Sequence, residues 1–531
     1  MTIYKKLIHC SAAWYVWIMF LIFPLYMTDH YFNMLSDKVF FFKHCTDIFF
    51  AWILSLTVLL CLIRIKECRD AYQTISFQMI REFLMKRITL GDILFGVFIV
   101  IVGISAYVSP YRQQALTGDD GRFQGAYMWL RYAMAYSIIR WGYRKQKKPL
   151  IWFTIIGIIF AFWGILDFCG LDIFGWISEV KEKQRGMFTS VFGNINTYTQ
   201  ALALYAGITS VLLSQSINDK KRHWSIGFTV MLTVLFTGLI TGQSDNAVIG
   251  IAIVMLLSII VSSMIKDSNQ CVAYHMLALA AAFSLSWMLQ KSFDNPYIGE
   301  NAGILLILSR NLYVIGVLWL GAGTLFLLSW LCRKGNHTVW NMTTWIYQHW
   351  WLLPIIAAAA GIGMAYAVSR GTFSDNSTLN NIFLFNDRWG TNRGYAWRAT
   401  IEEFAALSPV HQFIGNGAET FGLVVKAARK EEMVAFMGSV FDSPHNEFLQ
   451  TLFSFGVLGF LSYYGTIVFH IRRAYQSKKW IRMAAAGGVI AYLAVSTISI
   501  SVPIVMPYVI ILLAISANSA VTENILQRQI Q

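Results

Sequence analysis

The string Ser443-Pro444-His445-Asn446 stands at the mouth of the apolar run Glu447–Phe455, which continues into Gly456-Val-Leu-Gly459. A proline beside Asp442 and Ser443 predicts a helix start there, with His445 in the first helical turn. The unpaired N–H groups of a first turn favour an anion. The positive end of the helix disfavours imidazolium, which would keep His445 neutral and able to accept a proton. On a 3.6-residue helix Gly456 falls about 20° from His445, and Gly459 about 40° to the other side. One face would then carry a histidine at its tip and small residues below it, where another helix can approach closely. That face offers proton abstraction from a hydroxyl beside an anionic group. The alternative is an interfacial histidine that caps a helix above packing glycines.

Three arginines could serve the anion, since a guanidinium neutralises phosphate oxygens with a planar fork. Arg185 opens the stretch Arg185-Gly186-Met-Phe-Thr-Ser-Val-Phe-Gly193-Asn194-Ile-Asn196, and Arg393 is followed at four residues by Trp397. Arg131 sits inside an apolar run, where a charge is costly unless it snorkels or faces a cavity. The structural alternatives are an interfacial phospholipid contact for Arg185, a salt bridge to Asp387 for Arg393, and snorkelling for Arg131. Asp119-Asp120 reads as a solvated turn between Gly118 and Gly121 rather than a chelating pair. The seven cysteines are scattered, with no metal-ligand spacing, so neither a disulfide framework nor a metal site is expected. There is no P-loop, HExxH or GxSxG motif.

The elements that must position these residues are membrane helices. Of 531 residues 56% are hydrophobic and only 13% charged, against about 25% charged in soluble domains. Apolar runs long enough to span fall near 11–27, 47–63, 91–108, 124–141, 150–167, 196–214, 224–241, 246–264, 271–289, 311–331, 351–368, 446–470, 484–500 and 503–519. The expected fold is therefore an all-α integral membrane protein with about 14 transmembrane helices. With the N-terminus cytoplasmic, 25 of the 42 Lys and Arg fall in inner segments and ten in short outer ones. The net charge of +14 is then topological and gives no reason to invoke nucleic acid. Residues 369–444 form one long extracytoplasmic loop with short helices, near neutral with seven basic and eight acidic residues. Within it Arg393–Leu407 has helical spacing, pairing Arg398 with Glu402 and aligning Trp397, Ile401 and Phe404. The chain divides into N-terminal spans (1–184), central spans (185–368), the loop (369–444) and C-terminal spans with the His motif (445–531).

The His445, Asn446, Gly456 and Gly459 pattern resembles the motif of the O-antigen ligase and polymerase family: His, then Asn, Ser or Gln, nine residues, Gly, two residues, Gly. The Arg185–Asn196 stretch is similar to that family's arginine and asparagine run at the start of a span. Arg393-x-x-x-Trp397 with Gly415-Asn-Gly417 and Phe421 is similar to its loop helix and Gly-x-Gly turn. Where the family often has Ser-Arg-Gly, this chain has Gly242-Gln-Ser-Asp245-Asn246, so a role for Asp245 in place of that arginine is open. The even span count with the charge count puts both termini on the cytoplasmic side, and the resemblance implies a bacterial inner-membrane glycan transferase with no cofactor. Its substrates would be an undecaprenyl-diphosphate-linked glycan and a saccharide or glycolipid acceptor at the outer face. It implies His445, Arg393 and Arg185 as catalytic residues and Asn446 and Asn194 as substrate-binding ones, with Gly456, Gly459 and Trp397 structural; Arg131, from its place inside a span, is a further substrate-binding candidate. A repeat-unit polymerase differs only in the acceptor. A lipid-glycan flippase is the remote alternative, since it would need charges along a central cavity.

Overall fold

The computed structural model describes residues 2–70, 87–119, 121–144, 146–265, 267–293, 303–370 and 383–518. Asp120, Asp375, and the basic residues Arg81, Lys86, Lys145, Lys266 and Arg528 of the charge count lie outside them. The described chain is helical, with no strand. The main helices are α1 (Thr2–Leu21), α2 (His30–Asp70), α3 (Leu90–Val108), α4 (Ala126–Ser137), α5 (Lys147–Phe168), α6 (Ile195–Asn218), α7 (Arg222–Thr241), α8 (Asn246–Ser262) and α9 (Ser268–Ser292). They continue as α10 (Leu312–Arg333), α11 (His337–Gln348), α12 (Leu352–Ser369), α13 (Trp389–Ala406), α14 (Pro409–Ile414), α15 (Phe421–Met437), α16 (Glu447–Gln476), α17 (Trp480–Val495) and α18 (Met506–Ala517).

Ten described helices are long and apolar enough to cross a membrane, so the protein is polytopic, with fewer full-length spans than the fourteen expected. The other four apolar runs form shorter helices. At 1.5 Å per residue α8 and α17 reach about 25 Å, as does α4 with the π-helical turn Ile138–Gly142 that continues it, and α18 about 18 Å, against a hydrocarbon core of about 30 Å. Hydropathy reports how apolar a stretch is, while the cap at Asp245 sets where α8 starts, and the ends at Ser263 and Ser496 set where α8 and α17 stop. The largest departure is α2. Its first half, through Thr46, falls in the outer loop left between the expected spans 11–27 and 47–63, yet one helix runs 41 residues from His30. The polar side chains find partners inside the bundle. Lys38 is buried and donates to the carbonyls of Phe23 and Pro24 that follow α1, and Tyr15 and Thr46 share a hydrogen bond of 2.8 Å.

At the centre stands α6, buried along nearly its whole length. It crosses α17 where Gly207 faces the backbone of Gly487, a contact that leaves no room for a Cβ. The long loop folds on a small core of its own, Tyr395, Ala399, Phe421, Val425 and Met433, closed by Phe453 of α16. Arg398 pairs with Glu402 at 3.2 Å as its spacing predicts, and also with Asp387 at 2.8 Å. Arg429 adds Glu402 and Glu403 to the same network. The loop is thus a packed cap on one end of the bundle.

Candidate functional site

His445 is not in the first turn of α16. Asn446 is the N-cap, its side-chain oxygen accepting the N–H groups of Phe448 at 2.9 Å and Leu449 at 3.1 Å. Asparagine caps a helix well, so the regular helix begins at Glu447 and His445 precedes the cap. The backbone of His445 is left-handed (φ 48°), an uncommon conformation for a non-glycine residue, and it turns the ring away from the helix axis. Its N–H reaches Ser443 Oγ at 3.4 Å, and its ring meets Phe441 edge-on at 5.7 Å. Among the described residues no hydrogen bond engages either ring nitrogen. The imidazole pKa is lowered to about 4, first by burial, then by the charges of Arg393 and Arg122, with Asp442 opposing. Neutrality was expected at this position, but its cause is burial beside two arginines rather than a helix dipole.

Gly456 also departs from a continuous helical face. It has φ 65° and ψ −174°, a conformation close to glycine-only, and it breaks α16 in two. The carbonyls of Phe453 and Ser454, freed by the break, accept the N–H groups of Asn416 at 3.1 Å and Gly417 at 3.0 Å. The backbone of Phe413–Gly415 occupies the space that a Cβ on Gly456 would need. The glycine therefore stitches the Gly415-Asn-Gly417 turn of the loop into the broken helix. Gly459, beyond the break, packs against Ile101 of α3. The angles estimated for an unbroken helix do not apply.

Arg393 begins the regular part of α13, directly after Gly390, Thr391 and Asn392, all left-handed (φ 58°, 60° and 69°). Asp387, the salt-bridge partner considered for it, is taken by Arg398. Among the described residues the Arg393 guanidinium makes no hydrogen bond or ion pair. Burial lowers its pKa, and the charge of Asp245 opposes that shift. The Gly242–Asn246 turn therefore presents a carboxylate, not an arginine, to this site. Trp397 packs at tilted angles against Trp389 and Phe385, with ring centroids 5.2 and 5.9 Å away.

The second charge acting on the ring belongs to Arg122, a residue sequence reasoning passed over. It is 8% exposed and pairs with Asp442 at 2.8 Å. Beside it a cavity of about 30 Å³, room for a water or two, is lined by Arg122, Gln124, Glu419, Glu447, Gln450 and Ser501. Glu419 has its pKa pushed up to about 7 by burial, with Arg122 opposing and Asp119 and Asp442 adding to it. Glu447 is buried, accepts Tyr492 OH at 2.8 Å, and donates its N–H to the Ser496 carbonyl at 2.9 Å. A carboxylate directly after the motif, at the start of a span, was the available signal for Glu447. For Arg122 the only hint was its place between Gly121 and Gly125.

The remaining predicted residues hold the frame. Asn194 caps α6, its side chain accepting the Asn196 N–H at 2.8 Å, so this oxygen, like that of Asn446, is committed to a helix end. Asn196 binds Ser244 at 2.6 Å, Asn246 reaches the Asn196 carbonyl at 3.2 Å, and Gln200 binds Ser496 at 3.0 Å. These bonds tie the starts of α6 and α8 to the end of α17. Arg185 is not among the charges acting on His445; its guanidinium donates to the carbonyls of Val180 at 3.0 Å and Ser178 at 2.9 Å. Arg131 does not stand free: it is paired with Asp47 of α2 at 2.9 Å and donates to the Tyr127 carbonyl at 3.1 Å. Among the described residues no group of three or more His, Cys, Asp or Glu is placed to hold a metal ion.

Chemically, the site combines a neutral imidazole with free nitrogens, an uncommitted guanidinium next to it, and a second, paired guanidinium behind. Comparison with family models, curated proteins and solved structures finds no match for this chain.

Proposed function

We propose that the chain is a membrane glycan transferase of the O-antigen ligase type, working at the outer face of a bacterial inner membrane with both termini cytoplasmic. The donor is a glycan on an undecaprenyl-diphosphate carrier and the acceptor a saccharide or glycolipid hydroxyl. His445 takes the hydroxyl proton, the acceptor oxygen bonds to the anomeric carbon, and the bond from that carbon to the carrier diphosphate breaks. Arg393 neutralises the charge gathering on the departing diphosphate. The observation that carries the reading is one pair: an imidazole held neutral, with no ring hydrogen bond, beside an arginine with no partner of its own. A repeat-unit polymerase would run the same steps on another acceptor.

The test is transfer from a lipid-diphosphate glycan in vesicles, with protein level and thermal stability recorded for each variant. His445→Ala is expected to lose about 10²–10⁴ in rate while inserting normally. His445→Gln keeps a hydrogen-bonding group but cannot take the proton, so near-normal transfer by Gln would leave positioning as the only role. Normal transfer by Ala would make His445 a structural residue and end the proposal.

A further inference from the structure

At the other end of the bundle lies a crevice of about 710 Å³ between the end of α6, the α8–α9 turn, the end of α10, and α11. Both α6 and α8 start in the hydrogen-bonded layer near His445, at Asn194 and Asn246, and run away from it for 24 and 17 residues. The crevice is therefore a full helix length from the candidate site. Its outer wall is α11, twelve residues long or about 18 Å, too short to cross a bilayer. Trp340, Met342, Trp345 and Ile346 are exposed on α11, while Thr343 and Tyr347 are buried and Tyr347 OH donates to Asn269 at 2.9 Å. A short helix with exposed tryptophans, joining two apolar spans, lies in the membrane–water interface. The spans it joins, α10 and α12, are exposed over most of their length and present apolar surface to lipid.

Two cations line the crevice, Lys220 and Arg333, with Asp267 across from them. Each stands at a helix C-terminus, where carbonyl ends favour a positive charge. Among the described residues neither side chain makes a hydrogen bond or ion pair. Lys220 has a left-handed backbone (φ 54°) at a position where helices usually end on glycine.

We infer that this crevice binds the phosphate headgroup of an anionic glycerophospholipid, with Lys220 and Arg333 on the phosphate and the acyl chains along α10 and α12. A lipid fits better than a soluble anion because the crevice that the two exposed cations line has the interfacial helix itself as one wall. The site is independent of the chemistry proposed for His445, and the charge count assigns this end to the cytoplasmic leaflet.

The full-length protein would be reconstituted in phosphatidylcholine with a rising share of phosphatidylglycerol, reading thermal midpoint and, by native mass spectrometry, the lipid retained. Saturable stabilisation and retention of phosphatidylglycerol over phosphatidylcholine are expected. Lys220→Gln with Arg333→Gln should lower that preference by about fivefold per cation and match wild type in pure phosphatidylcholine. Lys220→Arg with Arg333→Lys should keep it. Equal retention of the two lipids by wild type, or a preference that survives the double Gln variant, would overturn the site. Equal competition by free glycerol phosphate would make it a soluble-anion site and overturn the lipid assignment. Wild-type selectivity needs no variant, so a variant that fails to fold does not remove the test.

Discussion

Helix α16 carries a histidine near each end, and the two ends are built on opposite principles. At the far end His470 Nε2 meets Tyr136 OH at 2.9 Å, and that hydroxyl donates to Asp92 at 2.7 Å. Asp92 also receives Arg140 through two nitrogens, at 2.8 and 2.9 Å, and the backbone and hydroxyl of Thr89 at 2.8 Å. The remaining reach of Arg140 goes to the Arg87 carbonyl. Both charged side chains are almost fully buried, 5% and 7% exposed. At the near end His445 keeps its ring nitrogens free and Arg393 its guanidinium, although both are largely removed from water. A buried charge in a closed network is structural. A partly buried charge with no partner is costly unless something else binds it. That contrast, more than the presence of histidine or arginine, separates architecture from a binding centre in this molecule.

The comparison can be broken most decisively at the closed end. Asp92→Ala leaves Arg140 buried and unpaired, which should destabilise the protein by about 3–5 kcal/mol. Denaturation in detergent would read this loss, with transfer per folded molecule unchanged. Equal losses for Asp92→Ala and Arg393→Ala would erase the distinction between the two ends.

Gly456→Ala should cost about 1–3 kcal/mol, because alanine is strained at φ 65°, ψ −174° and its Cβ meets the Phe413–Gly415 backbone. It should also reduce transfer, since the same break docks the loop that carries Arg393. Gly465→Ala, inside the regular helix and with only Leu94 Cδ1 near the added Cβ at 3.3 Å, serves as the milder control.

The open end can be sharpened by pH. With a pKa of about 4, His445 is neutral above that value, so its contribution to transfer should be flat near neutrality and fall as pH drops through about 4. Removing the Arg393 charge lets the pKa rise toward its ordinary 6.5. Arg393→Gln should therefore move the acid limb of the residual activity to higher pH. An unmoved limb would mean that Arg393 does not act on the ring. The smallest effect belongs to Arg131→Gln. Its ion pair with Asp47, 25% and 43% exposed, should be worth under about 1 kcal/mol, with transfer unchanged. A large loss of transfer would return Arg131 to the site.

Hydropathy along the chain was enough to locate every main apolar helix and to announce a folded loop, because burial in lipid demands apolar side chains over a fixed length. The helix start at Ser443–Asn446 was legible for the same local reason, but the break at Gly456 was not: spacing put Gly456 on an unbroken helical face, and the break is held by the Phe413–Gly415 backbone of the loop. Local patterns could not show that Asn446, not His445, would be the helix end that matters, since capping was decided between neighbours with similar polarity. They also mistook the first half of α2 for a loop, because Lys38 and Thr46 are satisfied by residues on α1 and just beyond it. Partners distant in sequence decided the rest. Arg122 meets Asp442, Arg140 meets Asp92, and Arg398 takes the Asp387 that was the alternative partner for Arg393. Sequence alone determined which charges the chain carries and roughly where each lies along a span. Only the tertiary structure decided which of them are neutralised and which stay open, because ion pairing depends on distances of about 3 Å between helices, and no local periodicity encodes those.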